Sequence, residues 1–450
     1  MSAMRSGGPR ASGLSRRAAL ALPLALGGCG LFSGDWFGET KAPIPGKREA
    51  IGAVNVLVPD RGLPRVALRP PVRNAAWLQA GGNPVHDMDH LAAAPQLGLV
   101  WTADLGAAGG YRRKILAQPV SAGGVVYAMD SRADVSALDL VTGRRLWRTR
   151  TRSKRDRSTN IGGGLGLADG VLYAVNGLGG VLALDPVQGA VRWRINIGVP
   201  GRSAPTIAAG RLFVVTIEDR LLALDVTNGR QLWDYQAQNP TLQLLGQPAP
   251  AFADGIVIAG FGSGELTALR AEGGTVVWSD TLAAAGSGGA LSEIASIRGN
   301  PAIRDNRVVA IGMGGLMVAI DLHAGRRLWE RGIAGLDSPW IAGDWAFAVT
   351  LNQILVAIHT ADGLIGWVRQ LPAYQNPKKQ SGPLTWFGPL LASDRLIVAG
   401  TNKQALAVSP YTGAILGGVK LPSPASPVQP AVIAGTVLVV ADDGRLLALR

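Results

Sequence analysis

An all-β ring of repeated four-stranded units is the fold that this 450-residue sequence predicts, on three observations. The tripeptide Ala-Leu-Asp, or a near variant, closes a short apolar strand seven times. Ten residues after its Ala stands Trp in six of the seven copies: Ala137 and Trp147, Ala183 and Trp193, Ala223 and Trp233, Ala268 and Trp278, Ala319 and Trp329, Ala357 and Trp367, then a decayed pair, Ala407 and Gly417. Finally, an incomplete unit at each end supplies what the other lacks. The last unit has Val437 and its neighbours, a turn at Asp443-Gly444 and a third strand at 446–450; a strand around Leu99, Val100 and Trp101 precedes the first complete unit. Pairing these two closes the ring and protects its strand edges.

Within a unit, the third unit shows the strands in order. Ala204-Pro205-Thr206-Ile207 is a short inner strand, Ala209-Gly210 a turn, Arg211 to Val215 the second strand, Arg220 to Asp225 the third and Gln231-Leu232-Trp233 the fourth. Turns such as Thr142-Gly143, Asn228-Gly229 and Asp362-Gly363 supply the positive φ that a tight hairpin needs. Four strands per unit, with 38 to 51 residues between successive Trp positions, is the arithmetic of a β-propeller. A helical array would need apolar spacings of three and four, which are missing here. The prediction is an all-β, eight-bladed β-propeller of four-stranded antiparallel blades over residues 97–450, closed by pairing of its N- and C-terminal strands; seven blades is the competing count.

Ahead of the ring, residues 1–28 hold Arg5, Arg10, Arg16 and Arg17 and no acid, then an apolar stretch over 18–26. This is an export signal too short to span a bilayer. Leu26-Gly27-Gly28-Cys29 contains the sole cysteine of the chain and resembles the lipobox of bacterial lipoproteins, with Gly27 a mild departure. Cys29 is therefore the expected lipidation site. Ser15-Arg16-Arg17 also resembles a twin-arginine leader, so the export route stays open between Sec and Tat. Residues 29–71 read as a lipidated flexible tether and 72–96 as a segment that docks on the ring.

Net charge is +13, of which the four leader arginines supply four, leaving +9 for a mature chain. Eight basic residues and one acid between positions 144 and 157 concentrate that excess in one loop. Arg148, Arg150, Arg152, Lys154, Arg155 and Arg157 are the candidate contacts with an anionic surface, against the simpler reading of a solvated loop. Export and the absence of interleaved aromatics argue against nucleic acid.

No catalytic constellation emerges. There is no nucleophile elbow and no phosphate loop, and Cys29 is committed to lipid. Asp139, Asp185, Asp225 and Asp321 recur once per blade, which marks acceptors for turn backbone rather than catalytic acids. The recurring Trp is expected between blades, with its N–H partnered. His86, Asp87, Asp89 and His90 are the one cluster of ligand types, with no third ligand nearby and no helix signal to put the two His on one face. A docking segment with Trp77 and Gly81-Gly82 is preferred to a metal site. No cofactor or metal is assigned.

The Ala-Leu-Asp-x-x-x-Gly-x-x-x-Trp repeat resembles that of propellers related to the pyrroloquinoline-quinone (PQQ) dehydrogenases. Together with lipobox and eight units, it resembles the BamB family, lipoproteins of the β-barrel assembly machinery. The resemblance implies a non-catalytic scaffold, monomeric within its complex and lipid-anchored on the periplasmic face of the outer membrane. Its implied partners are the periplasmic domains of BamA and other machinery subunits, and its implied role is assisting insertion of outer-membrane proteins. It also points to Leu242, Leu244 and Leu245 as the partner-binding segment, because the family places a Leu-x-Leu-Arg-Gly loop there. Leu245 replaces the Arg, and an acidic pair is not evident near Glu293 and Arg298. The alternatives are a periplasmic quinone dehydrogenase with PQQ and Ca²⁺ in the central funnel, which would typically carry adjacent cysteines, and a lipoprotein that binds glycan or peptidoglycan.

Overall fold

The computed structural model describes residues 57–110, 113–152, 159–160, 162–238, 246–283 and 295–450. Every regular element among them is a strand. They form eight four-stranded antiparallel sheets: blades 1 to 7 span 120–149, 163–196, 206–236, 251–281, 302–331, 340–370 and 386–420. Blade 8 combines three C-terminal strands (Ala431–Ile433, Thr436–Val440 and Arg445–Leu449) with Leu99–Asp104 as its outermost strand. Trp101 faces Ala448 in that pair, and Gly98 and Arg450 exchange backbone hydrogen bonds of 2.9 Å. Eight blades and closure between the terminal strands are therefore observed. A short hairpin, Tyr374–Asn376 with Ser381–Pro383, sits in the connection from blade 6 to blade 7, where no strand was expected.

Each Ala-Leu-Asp-to-Trp copy folds the same way. The register between strands 3 and 4 shifts by one residue at Ala137/Leu138 and at the equivalent pair of blades 2 to 7. The resulting bulge increases local twist and keeps Trp opposite Ala. In the turn, Asp139 Oδ1 accepts the N–H groups of Val141 and Thr142, and Asp321 Oδ1 those of His323 and Ala324. The Thr142 hydroxyl and its N–H hold the Asp139 carboxyl below its ordinary value, as the Ala324 N–H does for Asp321. These recurring acids serve the turns.

The Trp side chains join blade to blade. The indole N–H of Trp101, Trp147, Trp193, Trp233, Trp278, Trp329 and Trp367 donates, at 2.8 to 3.2 Å, to the backbone carbonyl that follows the acidic position of the next blade: Leu140, Pro186, Val226, Ala271, Leu322, Thr360 and Pro410. One such bond is worth about 1 kcal/mol net, and burial of the ring adds to it. Beneath the indoles, Ala137, Ala183, Ala223, Ala268, Ala319 and Ala357 are completely buried.

A strap formed by residues 72–95 crosses the face where strand 1 of each blade turns into strand 2. Its partners run right around the ring. Trp77 and Ser121 of blade 1 exchange backbone bonds of 2.7 and 2.8 Å, and the Leu167 N–H of blade 2 donates to Leu78 O. Gln79 pairs through both amide atoms with the backbone of Ile207 in blade 3. Phe252 of blade 4 and Ile303 of blade 5 donate to the carbonyls of Pro84 and Val85. The Trp340 indole of blade 6 donates to Asp89 O, while Ser393 N of blade 7 and Ala434 N of blade 8 donate to Leu91 O and Asn74 O. Innermost strands leave one backbone edge unpaired, and the strap satisfies part of it. Trp77 is fully buried and stacks on Trp340 at 6.3 Å. Contacts begin earlier, within the stretch read from sequence as tether: Val66 is buried, and Asp60 bonds to Ile365 through both its N–H and its carboxylate.

Candidate functional site

The strap closes one face of the ring, and the opposite face carries the chemistry. There the connections from strand 4 to the next strand 1 meet, and residues just ahead of the inner strands enclose an axial cavity of about 90 Å³ floored by Ala80 of the strap. Its polar groups are mostly spent on linking neighbouring blades. Gln118 accepts from the Trp77 indole and Gly81 N and donates to Gln429 O; Gln429 in turn donates to Pro389 O. Arg298 donates to Pro427 O at 3.0 Å, and Asn300 accepts Ala249 N at 2.8 Å. Asp337 accepts Gly388 N; burial pushes its carboxyl up to about 6, against the opposing pull of Arg298 and that N–H.

A quinone cofactor does not fit this cavity. Sites for ligands of that size are typically about 300 Å³ or more. Among the described residues, no group of three or more His, Cys, Asp or Glu could hold a metal ion. Among the described residues, Asp337 is the only carboxylate lining the cavity.

The basic loop opens on the same face. Arg148 and its neighbours Arg132, Asp134, Arg150 and Arg152 line a concavity of about 570 Å³ at the edge of blade 1. Arg148 is held internally by Asp130 at 2.7 Å and Asp134 at 3.0 Å, so its charge is matched within the blade. Burial raises the Asp130 carboxyl above its ordinary value, opposed by hydrogen bonds from the N–H groups of Ala107, Arg132 and Asp134. Arg150 and Arg152 have no carboxylate partner among the described residues, and the same holds for Arg132 beside them and for Arg113, which shares an adjoining concavity with Arg132 and Arg148; sequence spacing revealed neither. They join through the loop between strands 2 and 3 of blade 1 and the connection from blade 8. Lys154, Arg155 and Arg157 lie outside the described residues.

Leu242, Leu244 and Leu245 also lie outside the described residues, as do Cys29 and Glu293. The chain leaves at Gln238, whose N–H donates to Glu265 Oε2 at 3.1 Å, and returns at Gly246, which lines the axial cavity. Both ends of the segment are thus fixed on the face opposite the strap.

His86 and His90 are placed as structural groups. His86, at a φ of 57°, bonds through Nδ1 to Pro301 O at 2.7 Å; burial pushes its pKa down to about 4, and its Nε2 has no partner. His90 bonds to Arg69 O through Nδ1 and accepts Asp394 N through Nε2. Arg304 links Asp87 and Asp89 at 3.3 and 2.8 Å. No helix puts the two imidazoles on one face.

Ring, repeat and strap define an eight-bladed propeller of the PQQ-like repeat class. Within that class, the chain belongs to the family described as Outer membrane protein assembly factor BamB, whose sequence model matches residues 131–369. The Outer membrane protein assembly factor BamB of Burkholderia pseudomallei is 28% identical over 360 residues, covering 78% of this chain and 87% of that one. Among solved structures, BamB from Moraxella catarrhalis superposes with a TM-score of 0.66 at 19% identity, over 79% of this chain and 100% of that chain. A quinohemoprotein alcohol dehydrogenase from Comamonas testosteroni gives 0.64 at 15%, over 84% and 81%. At these identities the structural likenesses establish a shared fold, and both named activities occur on it.

Proposed function

We propose that this chain is a non-catalytic scaffold for outer-membrane protein assembly, held on the periplasmic face of the outer membrane by lipid on Cys29. Family membership carries this reading. The small axial cavity, whose polar side chains bond to other blades of the ring, supports a binding role over chemistry. The partner is the periplasmic region of BamA, engaged through Leu242, Leu244 and Leu245, with Arg150, Arg152, Lys154, Arg155 and Arg157 adding attraction to an anionic surface. Apolar anchors rather than rim charges dominate such contacts. The test is co-purification of the full chain with that periplasmic region. Retention of both proteins in one peak is expected; no association, or dye-linked alcohol oxidation on addition of PQQ and Ca²⁺, would overturn the reading.

A further inference from the structure

Blade 7 alone lacks its indole. Seven blade junctions are filled by a Trp that covers the Ala opposite it and packs against the next blade; at the junction of blades 7 and 8 the position is Gly417. Two observations show that the space stays open. Ala407, paired with Gly417, is partly exposed, whereas its six counterparts in blades 1 to 6 are completely buried. A cleft of about 360 Å³ lies here, lined by Ile397, Ala407, Leu416 and Gly417 on blade 7 and by Pro95 and Leu97 on the far side.

The strand beside this cleft, Ile415–Lys420, is the outermost of its blade, and its first four residues are exposed. Gly417 lines the cleft and puts no side chain into it. Unpaired strand edges accept an extended polypeptide as an added strand, and a pocket beside the edge then selects among its side chains.

We propose that the cleft at Gly417 is a receptor slot for an aromatic side chain carried by an extended segment of another polypeptide, which adds to the edge of Ile415–Lys420. The occupant is argued from the molecule itself: at the seven other junctions the Ala opposite the outermost strand is covered by an indole, a large apolar ring with one polar edge, and here the same Ala faces an open apolar cleft whose far wall is Pro95 and Leu97 in place of the turn that seats the other indoles. An extended partner follows from the open strand edge that runs along the slot. This inference is independent of the BamA contact proposed above, which lies at other blades.

The test uses the full chain and two synthetic seven-residue peptides of alternating Thr and Val, one with a central fluorotryptophan and one with Ala there. Fluorine NMR and calorimetry follow binding. The aromatic peptide is expected to bind at least about tenfold more tightly than the Ala peptide. Ala407→Phe, which fills the slot from within, and Ala407→Asp, which charges it, should both erase that preference while circular dichroism and the melting temperature stay near wild type. The Phe variant keeps the test informative should the Asp variant misfold. Equal binding of the two peptides, or an unchanged preference in Ala407→Phe, would overturn the proposal. So would a concentration-dependent dimer abolished by Ala407→Phe with no peptide binding, since the slot would then serve a second copy of the chain.

Discussion

Gly413 lies beneath the indole of Trp367, so close that a Cβ on residue 413 would come within 2.6 Å of the ring's Cε3. The same pairing recurs between Gly143 and Trp101, Gly189 and Trp147, Gly229 and Trp193, Gly274 and Trp233, Gly325 and Trp278, and Gly363 and Trp329. The turn glycine of each of these blades is therefore the floor on which the preceding blade's indole rests.

Gly413→Ala should destabilise the ring more than Gly210→Ala. Both glycines have positive φ, 68° and 70°, so both substitutions carry strain of about 1 to 2 kcal/mol. Nothing lies within 4 Å of a Cβ at 210, whereas at 413 the indole must move as well. Urea unfolding of both variants measures the difference; equal losses would show that the indole yields freely.

Deleting residues 446–450 should destabilise the whole ring. These residues pair with Leu99–Asp104 and leave strand edges bare when removed. An unchanged melting temperature of the truncated protein would refute the role of this pair in closure.

The double change Leu242→Asp with Leu244→Asp should abolish association with the BamA periplasmic region and leave the fold intact. Alternate residues of an extended segment point the same way, and burying an unpaired carboxylate costs several kcal/mol. Arg150→Glu with Arg152→Glu should weaken binding modestly and chiefly at low salt, because exposed charges are screened. Calorimetric titration decides between them. Wild-type binding by the Asp pair, with loss in the Glu pair, would move the contact to blade 1.

Acid stability should depend on His86 and Asp87 in opposite senses. Burial holds the folded His86 near 4, below its ordinary 6.5, so the unfolded chain takes up a proton that the folded one refuses. Stability from this source is complete above 6.5 and is lost as pH falls toward 4, by at most about 3 kcal/mol. Burial raises Asp87 from 3.8 to about 6, so its contribution is complete below 3.8 and is lost as pH rises through 6. Between pH 6 and 4 the two nearly cancel. His86→Asn removes one side of that balance, and its stability relative to wild type should rise on acidification over this window. Denaturant midpoints at pH 6.5 and 4.5 test it, and parallel pH profiles would rule it out.

The ring was legible in the sequence because Ala, Gly and Trp each answer to a local demand repeated from blade to blade: an opposite face, a positive φ and a junction to fill. Trp101 could even be recognised as the indole of blade 8. Residues 72–95 were less readable. Gln79, Leu91 and Asn74 act through one or two hydrogen bonds each to strands far away in sequence, and such contacts leave no periodicity. His86 and His90 looked like neighbours in a ligand cluster, but each turns to a different part of the ring. Arg113 and Arg132 join Arg150 and Arg152 only because blade 8 and a loop of blade 1 converge. Gly417 was visible as a decayed repeat, yet the opening it leaves depends on Pro95 and Leu97 across the junction.

Propellers are ordinarily described as nearest-neighbour systems, in which each blade knows only the two beside it. The strap changes that arithmetic. Because a single stretch of 24 residues bonds to all eight sheets, it acts as the hub of a wheel: loosening any one blade is felt by the same segment that holds the other seven. Unfolding should accordingly be one concerted event rather than a progression around the circle. The hub precedes the rim in the chain, so its full set of bonds is complete only when the last blade is in place.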